Sequence, residues 1–195
     1  IAIALSCDPE VLVLDEPTTG LDPTTQASIS RLLKHLARER RTSVIYVSHD
    51  LALLHEIADS IAVMYAGEVV EIAPASALVA EPRHPYTRAL MAAVPSLARP
   101  GLVTSIPGQP PASIVPDACA FMPRCNHAQD ACAANAIAQE QTETGMVRCR
   151  RHRELPAAPS VRLPLEPGEQ GAIILSVKDL VCSYSAAMRP AVGNV

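Results

Sequence analysis

The chain has 195 residues, of which 49% are hydrophobic, and a net charge of -4. That is apolar material enough for one or two domains with a core, and it leaves no basic field to attract nucleic acid. No apolar stretch reaches the roughly 18 to 20 residues that span a bilayer and no signal peptide is visible, so membrane association would have to come through a partner.

An Ala-rich apolar opening, Ile1 to Cys7, predicts a helix ending near Cys7. The run Val11-Leu12-Val13-Leu14 then ends in Asp15-Glu16, the pattern of a buried parallel strand whose C-terminal end faces the ligand crevice of an open α/β sheet. Taken alone, the two carboxylates read equally well as a solvated strand exit. Pro17 to Pro23 reads as a loop, followed by a helix from about Thr24 to Arg40 with Ile29, Leu32, Leu33 and Leu36 on one face. A second strand, Ser43 to Ser48, again ends in polar groups, Ser48-His49-Asp50. Asp50 reads as the N-cap of a helix reaching Ala58. Two parallel strands are therefore expected to converge at one edge, and the fold class is α/β.

The succession Asp15-Glu16, Gly20-Leu21-Asp22-Pro23 and Ser48-His49-Asp50 resembles the C-terminal half of an ABC transporter nucleotide-binding domain, a P-loop NTPase. The resemblance implies that Asp15 is the Walker B Asp that helps hold Mg²⁺ and that Glu16 is the catalytic base. It likewise implies that Asp22 is the D-loop Asp facing a partner domain, and that His49 contacts the γ-phosphate of ATP. No Gly-x-x-x-x-Gly-Lys-Ser/Thr occurs and the glycines are scattered singly, so this stretch by itself offers no phosphate cradle and is expected to be inactive alone. The opening at Ile1, without Met, leads to the expectation that the phosphate-binding half precedes it.

Ile61 to Tyr65 and Glu68 to Ile72, separated by Ala66-Gly67, read as a hairpin closing a domain of residues 1–73. Only three of the 18 prolines precede residue 74, so the region 74–153 is expected to be extended or loop-rich, with short helices at Ala75 to Ala80 and Tyr86 to Ala93. Its tracts His84-Pro85-Tyr86-Thr87-Arg88-Ala89-Leu90 and Ile106-Pro107-Gly108-Gln109-Pro110-Pro111 resemble the C-terminal extension of the oligopeptide and dipeptide importers of this family.

Cys119, Cys125, Cys132 and Cys149 are separated by five, six and sixteen residues. In a chain with no secretory signal they point to a metal site rather than disulfides. Thiol chemistry alone leaves an iron-sulfur cluster, zinc and free thiols open, with His127 and His152 near enough in sequence to serve in mixed zinc coordination. The resemblance implies a [4Fe-4S] cluster, although Ala118 stands where the family commonly has Gly. Cys7 and Cys182, in apolar contexts, read as small buried hydrophobes. With no Trp and one Phe, Phe121, the core is expected to rest on Leu, Ile, Val and Ala.

Residues 154–171 read as a Pro-containing linker. Residues 172–195 resemble the start of a second nucleotide-binding domain, with a strand from Ile173 to Leu180 and Tyr184 where the family stacks an aromatic on adenine. The whole resembles an ATP-hydrolysing subunit of a peptide importer. That implies permease subunits and, indirectly, an external solute-binding protein as partners, and a peripheral place at the cytoplasmic face of the inner membrane. The alternative from the residues is a soluble ABC-type ATPase whose four-cysteine centre senses metal or redox state.

Overall fold

The computed structural model describes residues 2–94, 105–111, 115, 117–133 and 136–156. The expected strand Ile173 to Leu180, Cys182 and Tyr184 lie outside the described residues, as does nearly all of the expected linker.

A short helix α1 (Ala2–Leu5) leads into strand β1 (Val11–Asp15), helix α2 (Pro23–Arg40), strand β2 (Ser43–Val47) and helix α3 (Leu51–Ile57). β1 and β2 pair in parallel, Val11 opposite Ser43 through Asp15 opposite Val47. Leu12 and Leu14 turn inward to meet Leu5 and Leu33, with Ile29, Leu36 and Val44 packed around them. At roughly 1.5–3 kcal/mol per buried leucine, this stripe is what seats α2 on the strands. Because only one face of the pair is covered, Val13 and Ile45 on the other face remain 63% and 55% exposed, so the expected fully buried strand is buried on alternate residues only. Leu32 is also exposed. Ile29, Leu33 and Leu36 form the i, i+4, i+7 stripe, and Leu32 falls outside it.

Both ends of α2 are capped. Asp22 is the N-cap, its carboxylate accepting from the Thr24 and Thr25 N–H groups, and Pro23 stands where no N–H is needed. Arg41, with φ 54°, ends the helix in the left-handed conformation. Asp50 caps α3 as expected, its side chain accepting from the Leu53 N–H.

Strands β3 (Ser60–Tyr65) and β4 (Glu68–Pro74) form the predicted hairpin, and Ala66 and Gly67 supply the two positive φ values of a tight turn. The hairpin does not end its sheet. Helices α4 (Ala75–Ala80) and α5 (Pro85–Ala93) follow. Beyond them, two 3₁₀ turns (Met122–Arg124 and Asp130–Cys132) precede strands β5 (Glu140–Gln141) and β6 (Met146–Val147). β6 pairs with β4, giving the order β3-β4-β6-β5. The approach is close at Gly145, where a Cβ would overlap the carbonyl oxygen of Ile72.

The second core corrects the expectation of a purely aliphatic interior. Phe121, 2% exposed, packs edge-on to Tyr65 at 5.2 Å and against Tyr86 at 5.3 Å between ring centroids. Such pairs contribute about 0.5–1.5 kcal/mol each beyond their area. Leu78 is fully buried in the same cluster, so hairpin, α4, α5 and the cysteine-bearing segment share one interior.

Candidate functional site

The parallel pairing brings the two polar strand ends together. The Glu16 N–H donates to the Val47 carbonyl at 3.0 Å, which extends the ladder one residue past β1. At Glu16 the backbone turns left-handed, φ 45°, and this aims the carboxylate across the strand ends toward the residues after β2. Its Oε1 accepts from the His49 N–H at 3.1 Å and lies 2.8 Å from His49 Nδ1, while Oε2 accepts from the Thr19 hydroxyl at 3.0 Å. The hydrogen bond from His49 is the main reason the Glu16 carboxyl is held below its ordinary value. The same bond raises the imidazole above its own. A pre-oriented carboxylate beside an exposed imidazole can hold or accept a proton at Oε1, and the imidazole can donate to an oxyanion.

Asp15 ends β1 exposed, beside the Glu16–His49 pair. Asp22 is engaged differently. Besides capping α2, it accepts from the Thr25 hydroxyl at 2.6 Å, and the Thr25 bonds hold its carboxyl below the ordinary value. Asp22 is thus a helix cap in this chain, a structural use that its place in the motif did not disclose. Behind the loop, the Tyr46 hydroxyl lies 3.3 Å from the Thr18 hydroxyl and 3.4 Å from that of Ser30, both buried. Sequence reading missed Thr19, Thr18 and Tyr46. The one local signal was the spacing of Thr19, three residues after Glu16.

Cys119, Cys125, Cys132 and Cys149 line one cavity, together with His84, His127, Phe121 and Leu155. The Cys119 N–H donates to the Cys132 carbonyl at 2.9 Å, Cys125 caps the first 3₁₀ turn and Cys132 ends the second. Burial pushes the Cys149 thiol up to about 11 and raises those of Cys119 and Cys125. Without a cation these thiols keep their protons, whereas a cationic centre would convert them to thiolates. Among the described residues, no three His, Cys, Asp or Glu side chains form a group that could hold a metal ion. Of the two histidines, His127 borders the cavity. His152 is buried elsewhere, its Nε2 lying 3.1 Å from Glu140 Oε2, so it is not among the cavity's donors. Cys7 is exposed rather than buried, because α1 ends at Leu5 and the turn after it faces solvent.

A structural pair beside this cavity also escaped the sequence reading. Glu71, 3% exposed, accepts from the Arg83 N–H at 2.8 Å and the His84 N–H at 2.9 Å, and His84 Nδ1 accepts from the Tyr86 N–H at 3.0 Å. This clamp fixes the start of α5 to β4.

Residues 70–132 match a family model described as the oligopeptide/dipeptide transporter C-terminal region. Residues 1–55 match one described as an AAA domain, putative AbiEii toxin, type IV TA system. Over 134 residues the chain is 45% identical to a probable D,D-dipeptide transport ATP-binding protein of Escherichia coli K12, an alignment covering 68% of this chain and 41% of that protein. It is 42% identical over 151 residues to an oligopeptide transport ATP-binding protein of the same organism, covering 76% and 45%. A Bacillus subtilis oligopeptide transport ATP-binding protein is 41% identical over 157 residues, covering 79% and 48%. This chain belongs to the ABC peptide-importer ATPase family.

The fold class expected from the sequence, a partial P-loop NTPase of α/β type, follows from that membership. The chain spans less than half the length of these relatives. Their names denote transport proteins, which does not favour a free-standing sensor. Among the described residues no helix is long and apolar enough to cross a membrane.

Proposed function

We propose that the complete protein is the ATP-hydrolysing subunit of an importer of peptide-like solutes, lying peripherally at the cytoplasmic face of the inner membrane against permease subunits that an external solute-binding protein supplies. The observation that carries this reading is the Glu16–His49 pair at the joined ends of two parallel strands. Glu16 is the base, its Oε1 oriented to take a proton from the attacking water, and His49 donates to a γ-phosphate oxygen as charge develops there. Asp15, exposed beside the pair, helps hold Mg²⁺, which when bound neutralises phosphate charge. Asp22 faces a second nucleotide-binding domain, fused in the same polypeptide, and its capping of α2 keeps that loop in shape.

Glu16→Gln in the complete protein tests the reading. Turnover should fall by at least about a hundredfold with ATP still bound. Hydrolysis at the normal rate would remove Glu16 from the role of base.

The extension carries a second element of the proposal. Cys119, Cys125, Cys132 and Cys149 would hold a [4Fe-4S] cluster, each supplying one thiolate from the lining of a shared cavity. When bound, such a cluster supplies a reducible centre and ties the four segments together. About four irons and four acid-labile sulfides per chain, lost in Cys125→Ser, are expected. One zinc and no sulfide would overturn this part and leave the ATPase reading standing.

A further inference from the structure

We infer that Gln26 is a positioning residue for the hydrolysis proposed above, and the inference rests on that reading. Gln26 lies in the first turns of α2, four residues after Asp22, and a polar residue there would ordinarily be a solvated helix position. Instead its Nε2 donates to Asp50 Oδ2 at 3.0 Å, a half-buried bond between residues 24 apart in sequence. Its backbone N–H donates to the Asp22 carbonyl at 2.9 Å. Asp50 is the residue after His49, and its other oxygen is committed to capping α3 at the Leu53 N–H.

These bonds close a ring. Glu16 holds His49 through both its backbone N–H and its ring, and Asp50 follows His49 directly. Asp50 takes the Gln26 amide, and Gln26 holds the start of α2 at Asp22. The loop from Asp22 back to Glu16 is in turn fastened by the Thr19 hydroxyl. Within the ring, Gln26 makes the side-chain bond that joins α2 to the turn carrying the imidazole. The Asp22 loop and His49 therefore move as one unit. Without the amide, Asp50 Oδ2 loses its α2 partner and the His49 turn is left to the α3 cap and to Glu16. The loss falls on orientation in the transition state rather than on ATP affinity, since Gln26 touches no reacting atom.

The experiment is steady-state ATP hydrolysis by the complete ATP-binding protein. Gln26→Leu, which keeps the volume and removes the donor, should lower kcat about tenfold with the KM for ATP changed by less than about twofold. Gln26→Glu, which sets two carboxylates face to face, should lose at least as much. Combining Gln26→Glu with Asp50→Asn reverses donor and acceptor, because the new amide donates to the new carboxylate while its oxygen still caps α3. This double variant should recover kcat to within about threefold of the parent. Recovery supports the inference even where Gln26→Leu folds poorly. Parental kcat in both single variants, or no recovery in a double variant with an unchanged thermal midpoint, overturns it. Glu16→Gln run beside them separates the two claims: if it abolishes turnover while the Gln26 variants hydrolyse normally, the ATPase reading stands and the positioning role fails. If Glu16→Gln hydrolyses normally, both fail.

Discussion

His49 Nδ1 lies 2.8 Å from Glu16 Oε1, and the His49 backbone N–H donates to the same oxygen. Two donors from one residue on one carboxylate oxygen fix the plane of the carboxyl group and leave it the stronger acid of the pair. The doubly ionised pair exists between the lowered pKa of Glu16 and the raised pKa of His49. Acid removes it by protonating the carboxylate, and base removes it by deprotonating the imidazole.

The first prediction concerns that coupling. His49→Ala removes the largest cause of the lowered Glu16 pKa, so the carboxyl should titrate at higher pH than in the parent. In the complete protein the acid limb of the kcat/KM profile for ATP should move to higher pH, and its plateau should fall at least about tenfold. The reciprocal change, Glu16→Gln, should let the His49 ring titrate at lower pH, read by NMR of the imidazole nitrogens. An unmoved ring titration would mean that the pair does not persist in solution.

The second concerns the clamp at Glu71. Both of its oxygens are occupied by backbone N–H groups, and it is 3% exposed. Glu71→Leu strands the Arg83 and His84 amides at about 1–3 kcal/mol each. Hydrogen exchange at these two amides should accelerate at least about tenfold, with a smaller effect in Glu71→Gln, which keeps one acceptor oxygen. Unchanged exchange would show that the clamp is not what protects them.

How far these features were readable from sequence depends on how local they are. β1, α2, β2 and α3 were legible because their apolar runs are bounded by Asp15, Pro23, Asp50 and similar punctuation, each acting within a few residues. The meeting of Glu16 with His49 was legible as well, since parallel strands must bring their ends to one edge. Gln26 with Asp50 was not, because a polar residue on a helix looks solvated until its distant partner is known. β5 and β6, two residues each, are too short to show a period. Gly145 matters through its approach to Ile72, which no local pattern reveals. Nothing local marks Glu71 as buried, since the backbone N–H groups that draw it inward belong to residues after α4. Leu32 and Cys7 show the converse, apolar residues that the local surroundings leave in solvent.

The third prediction is acid sensitivity centred on His84. Its side chain, 1% exposed, is pushed down to about 4 by burial, against a smaller opposing effect of its hydrogen bond with the Arg148 backbone. The folded protein therefore keeps His84 neutral where the unfolded chain, titrating near 6.5, is protonated. The unfolded state binds more protons between those values, so stability is full above 6.5 and falls as the pH drops toward 4. The cost reaches about 3 kcal/mol near pH 4 and about 1 kcal/mol near pH 5.5, at roughly 1.36 kcal/mol per pKa unit. Carboxylates titrate in the same range, so the decisive quantity is the difference from His84→Gln, which cannot charge. Urea midpoints measured from about pH 7 down to about 4.5 should converge for parent and variant as the pH falls, the parent losing its advantage. Parallel curves would mean that His84 is solvated enough to accept a proton while folded, and that the interior around Phe121 opens more readily than its packing indicates.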